Sequence, residues 1–150
     1  MTIEQFWNLF LQRTGRGEDT VYIDCFHFDL TEKWSNALLE LVLCGQKRAT
    51  ASNLSTWELR GEALPKPGDL SIVTDWAGVP RCVIETTGVT VLPFRDVTWE
   101  MCRLEGEGDS LEDWRRGHAR FFTDEGLELG YIFSEDMPVV FETFEVVFQS

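Results

Sequence analysis

The chain is poor in the residues that build most metal centres. It has two histidines, His27 and His118, and its four cysteines form no Cys-x-x-Cys pair. None stands at zinc-finger spacing from a histidine, so neither a metal nor a cofactor is expected. Cys25, Cys44 and Cys82 have apolar neighbours and read as buried, reduced thiols. Basic charge is also scarce. Thirteen Lys and Arg face 26 Asp and Glu, for a net charge of −13. That excludes a surface built to coat extended duplex DNA, which needs a basic face. A phosphate could still enter a local cationic pocket. Long apolar runs are missing too. Nothing approaches the roughly 20 residues of a membrane span, and no basic-then-apolar leader opens the chain. The expectation is a cytoplasmic protein without membrane contact.

What is present is a globular composition. Hydrophobic residues make up 43%, with 11 Phe and 6 Trp, enough for one sizeable core in 150 residues. A single domain over residues 1–150 is expected. Acidic charge is concentrated late: from Glu105 to Glu145 twelve acids face Arg115, Arg116 and Arg120.

Helical stripes alternate with strand-like segments. Ile3, Phe6, Trp7, Phe10 and Leu11 keep the i, i+3, i+4, i+7 spacing of a one-sided helix, stopped by Gly15 and Gly17. Residues 20–28 read as a connection anchored by Tyr22, Phe26 and Phe28. Asp29-Leu-Thr-Glu32 reads as a helix start with an acidic cap, and the stripe Trp34, Ala37, Leu38, Leu41, Val42 runs to Gly45. Ala49–Ser55 is predicted as a strand. Leu70–Thr74 and Arg81–Val91 form a hairpin around Ala77-Gly78. Arg95–Leu104 is predicted as a short helix, and Glu105–Asp109 as a flexible acidic loop. Ser110 caps a third long helix carrying Leu111, Trp114, His118, Phe121 and Phe122. Val139–Phe148 is a last strand. Short strands with frequent turns favour an α+β fold whose sheet curls into a barrel, flanked by about three main helices.

The most informative segment is Gly45-Gln-Lys-Arg-Ala-Thr-Ala-Ser52. Glycine ends a helix in the left-handed region, after which a strand can start. Residues two apart on a strand share a face, so Thr50 and Ser52 line one surface near Lys47. An ammonium beside aligned hydroxyls suits an anionic or carbonyl ligand, although exposed lysines in such turns are common. Glu105 and Glu107 lie in a glycine-spaced loop that can approach a ligand closely. His118 sits on the apolar face of its helix, where a satisfied histidine is the plainer reading. Arg115, Arg116 and Arg120 are candidate phosphate contacts and Arg48 a candidate substrate contact, although helix arginines more often pair with acids such as Glu112 and Asp113. Trp57 and Trp76 are candidate base-stacking surfaces, although packing is tryptophan's commoner role.

Taken in order, these segments resemble the ASCH family, named for homology to a transcriptional coactivator. The resemblance rests on Gly45-x-Lys47-x-x-Thr50, on Pro67-Gly-Asp69 before a strand, and on Ile84-Glu85. It continues through Cys102-Arg-Leu-Glu105-Gly-Glu107-Gly-Asp109-Ser110-Leu111-x-x-Trp114, His118, Phe121-Phe122 and Val140-x-Glu142-x-Phe144. It covers residues 30–148, with the helix over 2–14 as an extension. It implies a barrel related to the PUA fold, with a cleft between barrel and helices, and a link to RNA. Two activities come with it: ribonuclease-like cleavage of single-stranded RNA, and amide hydrolysis on N-acylated cytidine. Both are metal-independent. The implied catalytic residues are Lys47, Thr50 and Glu105; from the residues themselves, Arg48, Ser52, Glu107, Arg116 and His118 are the candidate substrate contacts. For RNA, Glu105 would deprotonate a 2′-hydroxyl while Lys47 offsets phosphorane charge. For an amide, Lys47 would activate Thr50 or water and Glu105 would shuttle the proton. A non-catalytic RNA-binding module and a scaffold without chemistry are the rival readings.

Overall fold

The computed structural model describes all 150 residues. Five strands make one curled sheet, a half-barrel in the order β1-β3-β4-β5-β2. They are β1 (Asp24–Phe26), β2 (Ala49–Asn53), β3 (Leu70–Thr74), β4 (Pro80–Pro93) and β5 (Pro138–Gln149). Five helices accompany them: α1 (Ile3–Thr14), α2 (Glu32–Leu43), α3 (Leu54–Arg60), α4 (Trp99–Cys102) and α5 (Leu111–Leu129).

β1 runs parallel to β3, with Asp24 opposite Ser71. The other neighbours are antiparallel, and β2 closes the far edge with Thr50 opposite Glu142. Every residue of β3 is buried, because the sheet is covered on both faces there. Leu70 and Ile72 pack with Phe6, Trp7 and Phe10 of α1. Val73, one residue on and therefore turned the other way, packs with Leu38, Leu39 and Val42 of α2. A third cluster joins Trp114 and Phe122 of α5 to Phe94, Val97, Met137 and Val139.

Several local expectations change. The stretch 20–28 contains a strand, β1. Strand β2 ends at Asn53, whose side chain accepts from the Ser55 amide and starts α3. Residues 95–104 hold two 3₁₀ turns around the four-residue α4, not one helix. Helix α2 is capped by Thr31, whose hydroxyl accepts from the Trp34 amide. Asp29 lies two residues outside the cap, with φ at 60°. Cys25 and Cys44 are exposed, because β1 is a sheet edge and Cys44 caps the end of α2. Cys82 and Cys102 are buried, and burial raises their thiols to about 12 and about 11. No helix is long and apolar enough to cross a membrane.

Candidate functional site

A cavity of about 400 Å³ lies between α2 and α5, over β2. Its α2 wall is Trp34, Ala37, Leu38 and Leu41, and its α5 wall includes Gly117, His118 and Phe121. Phe28 and Thr50 complete the lining beside a buried charged cluster.

That cluster centres on Lys47, which is 2% exposed. The turn after α2 delivers it. Gly45 is left-handed at φ 83°, and the amides of Gln46 and Lys47 both donate to Leu41 O. The ammonium donates to Ala49 O at 2.8 Å, to Glu107 Oε2 at 2.5 Å and to Glu105 Oε1 at 3.4 Å. It also lies 5.3 Å from the Phe28 ring centroid, in cation–π range.

Glu105 is 1% exposed and is a buried anchor, not part of a flexible loop. Besides Lys47, it accepts from Trp114 Nε1 at 2.6 Å and His118 Nε2 at 3.1 Å. The other His118 nitrogen, Nδ1, faces Trp114 O at 3.0 Å. Both ring nitrogens thus face acceptors, and only the imidazolium donates to both. The His118 and Trp114 rings stack at 4.3 Å. Helix α5 sets this geometry, since positions four apart share a face.

One turn brings the second carboxylate back onto the same lysine. Gly106 is left-handed at φ 69°, and a Cβ there would lie 2.6 Å from Gln46 O. Gln46 Nε2 donates to Gly106 O at 2.8 Å, tying the acidic turn to the lysine turn. Glu107 is open through its backbone, but its side chain is 23% exposed.

Electrostatics separates the four groups. Burial works against the charge on Lys47, but Glu107 and Glu105 outweigh it and hold the ammonium above the usual lysine range. Lys47 is therefore a fixed cation, not a lysine primed by burial to act as a base. Burial also opposes Glu105 ionisation, yet His118 and Lys47 bring its carboxyl down to about 2. Burial raises Glu107, against Lys47 and with help from Glu105. His118 is raised, because Glu105 outweighs burial. Of the two glutamates, Glu107 is the better proton acceptor.

Glu105, Glu107 and His118 each offer a ligand atom, all within 4.8 Å of one another. The donor set does not suit a metal ion, because the Lys47 ammonium already sits against both carboxylates and would repel one.

The remaining candidates fall elsewhere. Ser52 does not line the cavity; its hydroxyl accepts from Trp57 Nε1 at 2.9 Å, which also gives Trp57 a structural partner. Arg48 is exposed and lines a separate cavity with Glu145 and Gln149. Arg116 is exposed and paired with Asp113 at 2.7 Å, while Arg120, one turn on, lines the cleft. Trp76 packs against His27 with the rings tilted at 59°, away from the cleft. The aromatic at the mouth is Trp34, 53% exposed. Its place in the α2 stripe made it look like core, but a 53% exposed stripe residue leads out of the core into the cleft.

Comparison with known proteins gives a consistent picture. A family model described as ASCH domain matches residues 24–148. The crystal structure of a protein from Enterococcus faecalis V583 superposes with a TM-score of 0.89 at 34% identity, covering 97% of this chain and 87% of that one. The crystal structure of an ASCH domain from Lactobacillus crispatus JV V101 gives 0.85 at 36% identity, covering 96% of this chain and 92% of that one. No curated protein matches the chain.

Proposed function

The chain belongs to the ASCH domain family, and within it we propose a metal-independent amidohydrolase acting on an N-acylated cytidine-type nucleoside. The observation that carries this reading is a buried Lys47, held by two carboxylates beside a cavity that Thr50 also lines. A volume of about 400 Å³ suits one small polar ligand.

The chemistry assigns one role to each group. Thr50 Oγ1 attacks the acyl carbonyl, and Glu107 takes its proton. Lys47 stabilises the oxyanion, as a preplaced cation can in a site shielded from water. Collapse breaks the C–N bond, and Glu107 returns the proton to the leaving amine. Water, deprotonated by Glu107, then attacks the acyl-threonine; the ester C–O bond breaks, Glu107 returns the proton to Thr50 Oγ1, and the carboxylic acid leaves. Glu105 and His118 do not touch the acyl group; Glu105 holds Lys47 in place and charged, and His118 holds Glu105.

A second reading, insertion of an unpaired RNA base, is favoured by Trp34 at the mouth, which offers a stacking surface. Both readings meet one experiment. The protein is incubated in EDTA with N-acylated cytidine and with short single-stranded RNA. Deacylation is expected, slowed about 100-fold or more in Thr50→Val and Glu107→Gln. Full activity in both variants would discard the mechanism, and cleavage of RNA with the acylated cytidine left intact would discard the substrate.

A further inference from the structure

We infer that the cleft between α2 and α5 takes an unphosphorylated, neutral or cationic nucleoside-sized ligand over Gly117, and rejects the same ligand carrying a phosphate. This rests on the site proposed above but not on its chemistry.

The first support is charge. Five carboxylates line the cleft against two permanent cations, Lys47 and Arg120, and His118. Lys47 and His118 are already matched by Glu105 and Glu107. Asp113 is paired with Arg116 at 2.7 Å, which leaves Arg120 as the one cation against Asp29 and Asp124, the latter one helical turn away. A phosphate arriving here meets a net negative wall, and close like charges are strongly unfavourable.

The second support is space. Gly117 is in the middle of α5, where glycine weakens a helix relative to alanine. A Cβ at Gly117 would meet nothing within 4 Å. No packing constraint demands glycine there, and its position on the cleft wall keeps the gap wide. Asp113, Gly117, Arg120 and Asp124 follow i, i+4, i+7, i+11, so one stripe of α5 carries both the gap and the charges. Ala37, also small, lies on the α2 wall.

The test is calorimetric titration with cytidine, N-acylated cytidine and cytidine 5′-monophosphate at low and high salt. The nucleosides should bind at least about tenfold more tightly than the monophosphate at low salt. The ratio should shrink at high salt and in the Asp29→Asn/Asp124→Asn variant. Gly117→Leu should weaken nucleoside binding about tenfold or more at an unchanged or higher melting temperature. Equal or tighter binding of the monophosphate overturns the inference, as does a ratio insensitive to the two aspartates, or failure of both nucleosides to bind. Unchanged binding in Gly117→Leu overturns the proposed seat. Selective binding without deacylation would leave this inference standing and remove the amidohydrolase.

Discussion

Replacing Glu105 with alanine should be far more damaging than replacing Glu107, although both are glutamates bonded to the same lysine. Glu105 accepts from Lys47, His118 and Trp114, and its side chain is 1% exposed. Its loss strands a buried imidazolium and a buried indole N–H, and leaves Lys47 with Glu107 and Ala49 O. Breaking a buried pair from one side costs roughly 3–5 kcal/mol, and the orphaned indole lies within that range of effects. About 4 kcal/mol is expected for Glu105→Ala. Glu107 has one partner and a side chain 23% exposed, so water can replace it. About 1 kcal/mol is expected for Glu107→Ala. Urea unfolding at pH 7, followed by tryptophan fluorescence, measures both. At roughly 2–4 °C per kcal/mol the difference also shows in melting temperature. Equal losses, or a loss under about 1 kcal/mol for Glu105→Ala, would refute the claim that this carboxylate anchors the cluster.

The pH dependence follows from the same anchor. Glu105 is depressed from 4.5 to about 2, so its stabilisation is present above 4.5 and lost as pH falls toward 2. His118 is raised from 6.5, so its part is present below 6.5 and lost as pH rises through its folded value. Wild type should therefore exceed Glu105→Gln by about 3 kcal/mol between those limits, with the gap closing in acid, as denaturant titrations at several pH values would show. Gly106→Ala must adopt a left-handed φ and meet Gln46 O, and should cost at least about 2 kcal/mol in the same assay. Gly117→Ala should gain about 1 kcal/mol, read as a higher melting temperature, since its new methyl meets open space.

The long elements were legible because their apolar residues repeat at 3.6 or alternate, as in α1, α2, α5 and β5. Strand β1 was not, because three residues are too few to show a period and its pairing with β3 is parallel and remote. Helix α3 was readable in principle, since Asn53 is a cap residue, but the small residues before it carried the strand reading past it. The site divides in the same way. Lys47, Thr50, Glu105, Glu107 and His118 come together at one cavity. No periodicity joins Lys47 to Glu105 across 58 residues; the family pattern suggested the grouping. Which glutamate is the better proton acceptor was not legible, because both stand beside glycine in sequence. Burial and the number of donors separate them only in three dimensions. Arg116 and Arg120 lie one helical turn apart on one face, so helix phase does not separate them; that Arg116 pairs with Asp113 while Arg120 lines the cleft shows only in three dimensions.

The cluster is not explained by what the fold needs. An ion pair buried this deeply is often no better for stability than apolar residues of the same volume, because desolvation offsets the attraction. Four aromatic rings, of Phe28, Trp34, Trp114 and Phe121, already line this cavity, so an apolar floor is structurally accessible. Instead the chain buries a lysine, a glutamate and most of a histidine, and spends a left-handed glycine on bringing a second glutamate to the same ammonium. The donors to Glu105 fix its charge, and Glu105 in turn keeps Lys47 protonated, while Glu107, the more open of the two carboxylates, stays at the cavity. A purely structural cluster has no use for that asymmetry between its two carboxylates. A site that must hold a cation still while passing a proton beside it does.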